Sequence, residues 1–371
     1  MAAYLIKRLL LIVPTLFGIL LINFVIIQFA PGGPVEQVIA QLTGTASGAT
    51  SGVGGGGGDG LGGAQPSTID QAAGDTSSKY RGAQGLDPEF IKELEQQFGF
   101  DKPPHERFIL MVGNYLTFNF GKSYFRDKPV LELIQEKLPV SMTLGLSMLF
   151  ISYFISIPLG IRKAVRDGSP FDVWTSGALV VGYALPGFMV GVFLLVIFAG
   201  GSFYQIFPIG KLSSDGAEQL ALIPWLLDRI WHITLPLTAM ILGAFTTLTF
   251  LTKNSFIDEI RKQYVLTARS KGLSENGVLY GHIFRNAMLI IIAGFPGAFV
   301  SAFFTGSLLI EVIFSLDGLG LLGFESVIKR DYPVVFATLY IFTLIGLIVH
   351  LITDFIYTLV DPRIDFESRE V

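Results

Sequence analysis

Few side chains in this sequence are spaced for covalent chemistry. Cysteine is absent from all 371 residues, which removes disulfides, thiolate nucleophiles and cysteine-ligated zinc or iron–sulfur centres. There is no Gly-x-Ser-x-Gly, no His-Glu-x-x-His and no pair of aspartates within an apolar run. Gly121-Lys122-Ser123 has the end of a phosphate-binding loop, but the first glycine of that motif would stand at 116, where the chain has Leu116. The run Gly54 to Gly58 lacks the strand before it and the Gly-Lys-Ser/Thr helix after it that would cradle a phosphate. Two acids border apolar runs, Glu311 and Asp354, the latter one helical turn after His350. The net charge of −4 leaves no basic face for nucleic acid.

The densest cluster of informative residues is the stretch from Lys253 to Asn286. Ile257, Ile260, Tyr264, Val265 and Ala268 recur at helical spacing, Gly272 offers a position tolerant of positive φ, and Ser274 stands where it can cap a second helix carrying Val278, Leu279, Ile283 and Phe284. The pattern predicts helix, glycine turn, helix. Arg261, Lys262, Arg269, Lys271 and Arg285 make it basic. Two readings fit that charge pattern: an interfacial amphipathic helix lying on anionic lipid, or a helix that docks a partner.

The elements that hold this loop follow from where charge is missing. The chain is 51% hydrophobic and 15% charged, against about 25% charged for an ordinary soluble domain. Asp, Glu, Lys and Arg are absent from 9–35, 138–161, 173–210, 230–252, 286–310 and 332–353. Each run reaches the roughly 20 helical residues that cross a bilayer core, so the expectation is an all-α integral membrane protein with six spans. The first run, after Lys7-Arg8, is too long for a cleaved h-region and reads as an uncleaved anchor. Gly200-Gly201-Ser202 and the aromatic segment after it read as an exit loop. Thirteen Lys and Arg fall at the two ends and in the loops 162–172 and 253–285, against four in 211–229 and 311–331, which places both termini in the cytoplasm.

Residues 31–137 then lie outside. Within them 44–85 hold 14 glycines among Ser, Thr, Asp and Ala, a composition that reads as flexible linker. From 86 to 137 the texture is that of a small helical cap: Asp87-Pro88-Glu89 starts one helix that Gly99 can close, and His105 to Leu116 predicts a second. The expected organisation is an anchor helix at 1–30, the outer segment 31–137, a core at 138–360 and a tail at 361–371.

Tyr264-Val265-x-Thr267-Ala268-Arg269-x-Lys271-Gly272-Leu273-Ser274, followed by His282-x-x-Arg285-Asn286-Ala287, resembles the EAA loop of ABC-importer permeases in its peptide/nickel-branch form. Leu266 and Thr267 replace the acid and first alanine of the general pattern, and 282–285 replace its Ile-x-Leu-Pro end, as in that branch. Ala30 to Pro34, Gly99 to Pro103, Asn119 to Ser123, Leu138 to Ser141, Ile310 to Phe314 with Gly318-Leu319-Gly320, and Asp361 to Ile364 resemble its other signatures. The resemblance covers nearly the whole chain outside 44–85. The ending Asp361 to Glu367 and the glycine-rich insert fit best the members that import oligopeptides and peptide-like antibiotics such as microcin C.

What the resemblance implies is a type I importer permease with a MetI-like core and an outer insert after its first helix. It implies a bacterial inner-membrane subunit with no cofactor of its own, ATP and magnesium being held by partner ATPase subunits. The partners would be a second permease, cytoplasmic ABC ATPases, a periplasmic peptide-binding protein and membrane lipid. In the docking loop, Ala268 and Gly272 would permit close approach, Tyr264, Val265 and Leu273 would be apolar plugs, and Arg261, Arg269 and Lys271 would meet acids on the ATPase rim. Pro186-Gly187 and Pro296-Gly297 would kink or loosen the third and fifth helices, and Phe188, Phe295 and Phe299 would face the pathway or pack against lipid or the core. Glu311 would touch the binding protein or a peptide amine, or hold its own outer scoop loop, whereas Asp354 would make a structural hydrogen bond or ion pair. The rival is a proton-driven carrier with His350 and Asp354 as relay, although no internal duplication of the kind such carriers carry is visible.

Overall fold

The computed structural model describes residues 2–29, 102–200, 203–304 and 308–360. The glycine-rich stretch, the helix expected after Asp87 and the tail lie outside the described residues. Every regular element among those described is helical, apart from one isolated bridge between Lys122 and Pro129. In chain order these are α1 (Ala2–Phe29), α2 (Pro104–Leu116), α3 (Val130–Val165), α4 (Pro170–Ala184), α5 (Gly187–Phe198), α6 (Leu222–Ile260), α7 (Gln263–Ser270), α8 (Glu275–Val278), a π-helical turn (Leu279–Ile283), α9 (Phe284–Ala287), α10 (Leu289–Phe304), α11 (Leu308–Ile313), α12 (Leu319–Lys329) and α13 (Tyr332–Val360).

Three segments are long and apolar enough to cross a bilayer singly: Val130–Val165, Leu222–Ile260 and Tyr332–Phe355. Two more qualify only as bent pairs, α4 with α5 at 89° and 275–287 with 289–302 at 49°. The first charge-free stretch contributes a shorter apolar helix, Arg8–Ile22, within α1. The helices overrun the charge-free windows: α3 starts at Val130, ahead of Leu138, and α6 continues to Ile260. Charged turns at a span's ends cost little because they reach the headgroups. Side chains as large as Phe154 and Trp174 stand outward on α3 and α4, as lipid-facing positions do. The first bend falls at Pro186, as the sequence predicts. The second does not: α10 runs through Pro296, and the break sits at Met288. A proline costs one backbone bond, yet α10 continues through it; the π-helical turn lies one short helix ahead of the break at Met288.

The helices pack in two units. Among the described residues, one comprises 2–16, 134–200, 203–304, 308–322 and 341–360. Its helices meet where side chains are smallest. A Cβ on Gly145 of α3 would collide with the Ala302 carbonyl of α10, and one on Gly160 would come within 2.6 Å of Thr252 of α6. Two clusters fill this unit. Leu144, Ile233, Leu237, Ile310 and Phe314 form one, and Phe256, Val265, Val278, Ile283 and Ala287 centre the other.

The second unit comprises, among the described residues, 17–29, 102–133 and 323–340. Phe24 lies against Phe108 of α2 and Phe336 of α13, and Tyr115, Phe120 and Tyr340 meet edge-on or tilted. Gly121-Lys122-Ser123 belongs to a tight excursion here: the Ser123 hydroxyl donates to the Asp331 carboxylate, which also accepts from the Tyr124 amide at 3.1 Å. The helix after it begins only at Val130.

Candidate functional site

The loop singled out in the sequence is built as two short helices around a left-handed glycine. At Arg261 α6 ends, and Lys262, in extended conformation, restarts the chain as α7. Glu259 fastens this joint by accepting from the Lys262 ammonium and, at 2.7 Å, from the Tyr264 hydroxyl. Burial, with this hydrogen bond second, raises the Tyr264 pKa, so the phenol stays protonated and donates. At the far end Gly272 has φ +77°. Its amide bonds to the Arg269 carbonyl at 2.9 Å and the Leu273 amide to the Ala268 carbonyl at 3.4 Å, the paired pattern that closes a helix through a left-handed residue. Ser274 then caps α8 by accepting from the Gly277 amide, and the Arg269 guanidinium crosses the turn to Glu275 at 2.9 Å.

Burial divides the expected docking residues. Val265 and Ala268 are buried against Phe256, Val278, Ile283 and Ala287, so they bind the loop to its own fold. Tyr264 is half-buried. Arg261, Arg269, Lys271, Gly272 and Leu273 are exposed. Helical geometry places Leu266, 54% exposed, and Ser270 opposite the Val265–Ala268 seam. Tyr280 and His282 also stand outward on the π-helical turn. Leu266 and Tyr280 are surface apolar residues that reading the motif alone passes over. Assigning Val265 and Ala268 to the inward face of one helix identifies Leu266 from spacing.

The pathway candidates gather elsewhere in the same unit. Where α4 breaks from α5, a cavity of about 960 Å³ is lined by Met148, Ser152, Tyr153, Tyr183, Phe188, Met240 and Thr247 among others. Phe188 lines it directly. Phe295 packs edge-on against Tyr153 with centroids 5.2 Å apart, and Phe299 packs against Phe295 at 5.9 Å. The structure thus brings Phe188, Phe295 and Phe299 to one region.

Glu311 is fully buried. Its carboxylate accepts from the Ser141 hydroxyl at 3.1 Å and the Leu321 amide at 2.8 Å, and the Leu319 amide donates to Ser141 at 2.8 Å. A Cβ on Gly318 would sit 2.5 Å from that carboxylate, so a side chain there would have to displace it. Burial raises the Glu311 pKa against these donors. The acid holds the N-terminus of α12 against α3 and turns inward. Asp354 pairs with Arg8 of α1. Among the described residues no group of three His, Asp or Glu could hold a metal ion.

Residues 156–366 match the family model for the binding-protein-dependent transport system inner membrane component. Three curated relatives align along essentially their whole length. The peptidoglycan transport system permease protein YejB of Agrobacterium fabrum is 63% identical, covering 100% of both chains. The inner membrane ABC transporter permease protein YejB of Escherichia coli O157:H7 is 56% identical, again covering 100% of both. The oligopeptide transport system permease protein AppB of Bacillus subtilis is 32% identical over 99% of this chain and 100% of its own.

Proposed function

Because this chain belongs to the family of inner membrane components of binding-protein-dependent transport systems, we propose that it is the permease subunit of an ATP-driven peptide importer of the YejB type. The observation that carries this reading is the end-to-end identity with permeases named for peptidoglycan and oligopeptide transport. The chain sits in the bacterial inner membrane with six spans, counting α1 and each bent pair as one, and with both termini inside. A second permease completes the pathway. ATPase subunits, which carry ATP and magnesium, dock from the cytoplasm, and a binding protein delivers oligopeptides, peptidoglycan-derived peptides or peptide-like antibiotics from outside.

The loop 253–286 receives the force. Leu266, Ser270 and Leu273 present a small outward face flanked by Arg261 and Lys271, and Val265 and Ala268 lock that face to the core. A displacement of the ATPase therefore moves the helix as part of its unit, which is what alternating access by rigid-body rotation needs. The cavity beside Phe188 supplies apolar wall for the pathway. Glu311 keeps the outer loop shaped. Asp354, engaged by Arg8, ties α1 to α13 instead of relaying protons with His350.

Purification of the tagged chain from its native membrane tests the reading. A second permease and an ABC ATPase should accompany it at fixed stoichiometry. Recovery of the chain only with copies of itself would overturn the proposal.

A further inference from the structure

A cluster of charge lies where α3 ends, α4 begins and α6 leads into the docking loop, and apart from Lys253, the first residue of that loop, none of it has a part in the function proposed above. Lys163, near the end of α3, is fully buried. Its three N–H groups meet three oxygens: the Asp172 carbonyl at 2.9 Å, the Thr175 hydroxyl at 2.7 Å and the Ser176 hydroxyl at 2.7 Å. The Asp172 carboxylate adds its charge at 3.0 Å. That same carboxylate accepts from Lys253 of α6 at 2.7 Å and from the Gly168 amide at 3.2 Å, and Lys253 also reaches Asp167 at 2.9 Å. One acid in the first turn of α4 thus holds the end of α3, the turn after it and the end of α6. Next to it, Gly160 leaves no room for a side chain between α3 and Thr252 of α6.

A buried ammonium is tolerated only when it is paired and saturated, and an apolar contact would join these helices with less desolvation. The arrangement instead confers geometric uniqueness: two lysines from two helices must address one carboxylate. Lys253 lies on the stretch of α6 that leads into α7. Resting on the functional reading above, we infer that Asp172 is a positioning residue of the transport cycle, joining α3, α4 and α6 into one body so that a displacement received at α7 reaches all three together.

The chain's lack of cysteine makes the test direct. Spin labels are placed at Arg166→Cys, in the exposed turn between α3 and α4, and at Gln263→Cys, exposed at the start of α7. Their separation is measured in the purified chain and in the importer complex, without nucleotide and with ATP trapped. The parent should give one narrow distance in every state. Asp172→Asn should broaden or shift it, most in the ATP state, and peptide moved per ATP hydrolysed should fall about tenfold, on the scale of a typical coupling energy. Asp172→Glu should restore both readouts. Lys253→Met leaves the Lys163 pair in place and should show the same defects if Asp172→Asn fails to accumulate.

A narrow, unchanged distance in Asp172→Asn or Lys253→Met, with an unchanged ratio per assembled complex, would overturn the inference even if protein levels drop. Failure of the parent complex to import peptide on ATP would instead overturn the functional reading, and the distances in the purified chain would still decide the positioning role.

Discussion

A carboxylate buried away from water persists only where donors meet it, and Glu311 and Asp331 are two such acids. Glu311→Ala would leave the Leu321 amide and the Ser141 hydroxyl without their acceptor, at a cost of about 1–3 kcal/mol for an unmet buried polar group. The purified chain should melt at a lower temperature, and equal melting would contradict the role of this acid in holding α12. Asp331 carries a pH signature. Burial, partly opposed by Ser123 and Tyr124, raises its pKa. A raised folded-state pKa means the folded chain binds more protons than the unfolded one, so this group's stabilisation is present in acid and is lost as pH rises through that pKa. The stability of the parent relative to Asp331→Asn should therefore increase as pH falls from neutral through the carboxylate range, and a difference that shrinks instead would refute it. These contacts are not legible in the sequence. For Glu311 the sequence offers holding its own outer loop as one of two readings but not the partner, because Ser141 lies 170 residues away, and for Asp331 it offers none.

The same division by range holds among the elements. Gly272, Ser274 and the helical spacing from Tyr264 to Ala268 were readable because capping and left-handed turns are local chemistry. Two local features escape that reading: the joint at Arg261–Lys262, fastened by Glu259 to Lys262 and Tyr264, and the π-helical turn, which no apolar spacing marks. The outward face of α7 also had to wait for the core that covers Val265. Gly272 allows strain and steric block to be separated. A Cβ there meets nothing within 4 Å, so even a large side chain projects into open space, while φ +77° costs most residues about 1–2 kcal/mol. Asparagine tolerates that conformation and is small. Gly272→Asn should keep import near the parent level, and Gly272→Trp should abolish import while the chain still reaches the membrane in near-normal amount. Import surviving Gly272→Trp, in uptake assays on cells with matched protein levels, would remove the turn from the docking surface.

At the scale of the molecule, composition carried most of the architecture. Six charge-free runs predict an all-helical membrane protein, and the described residues are helical, with three helices long and apolar enough to span singly and two bent pairs that qualify together. The bend between α4 and α5 was legible at Pro186-Gly187, whereas the packing contacts at Gly145 and Gly160 needed the helices placed side by side. The curated relatives are permease components of transport systems, and the functional reading assigns the energy source to partner subunits. The account therefore rests on force delivered from a partner through α7. Uptake of labelled oligopeptide into proteoliposomes measures this most directly, comparing vesicles holding both permeases alone with vesicles holding the full complex, each with ATP and with an imposed proton gradient. The account predicts uptake only in the full complex with ATP, insensitive to collapse of the gradient. Uptake by the permeases alone, driven by the proton gradient, would contradict it.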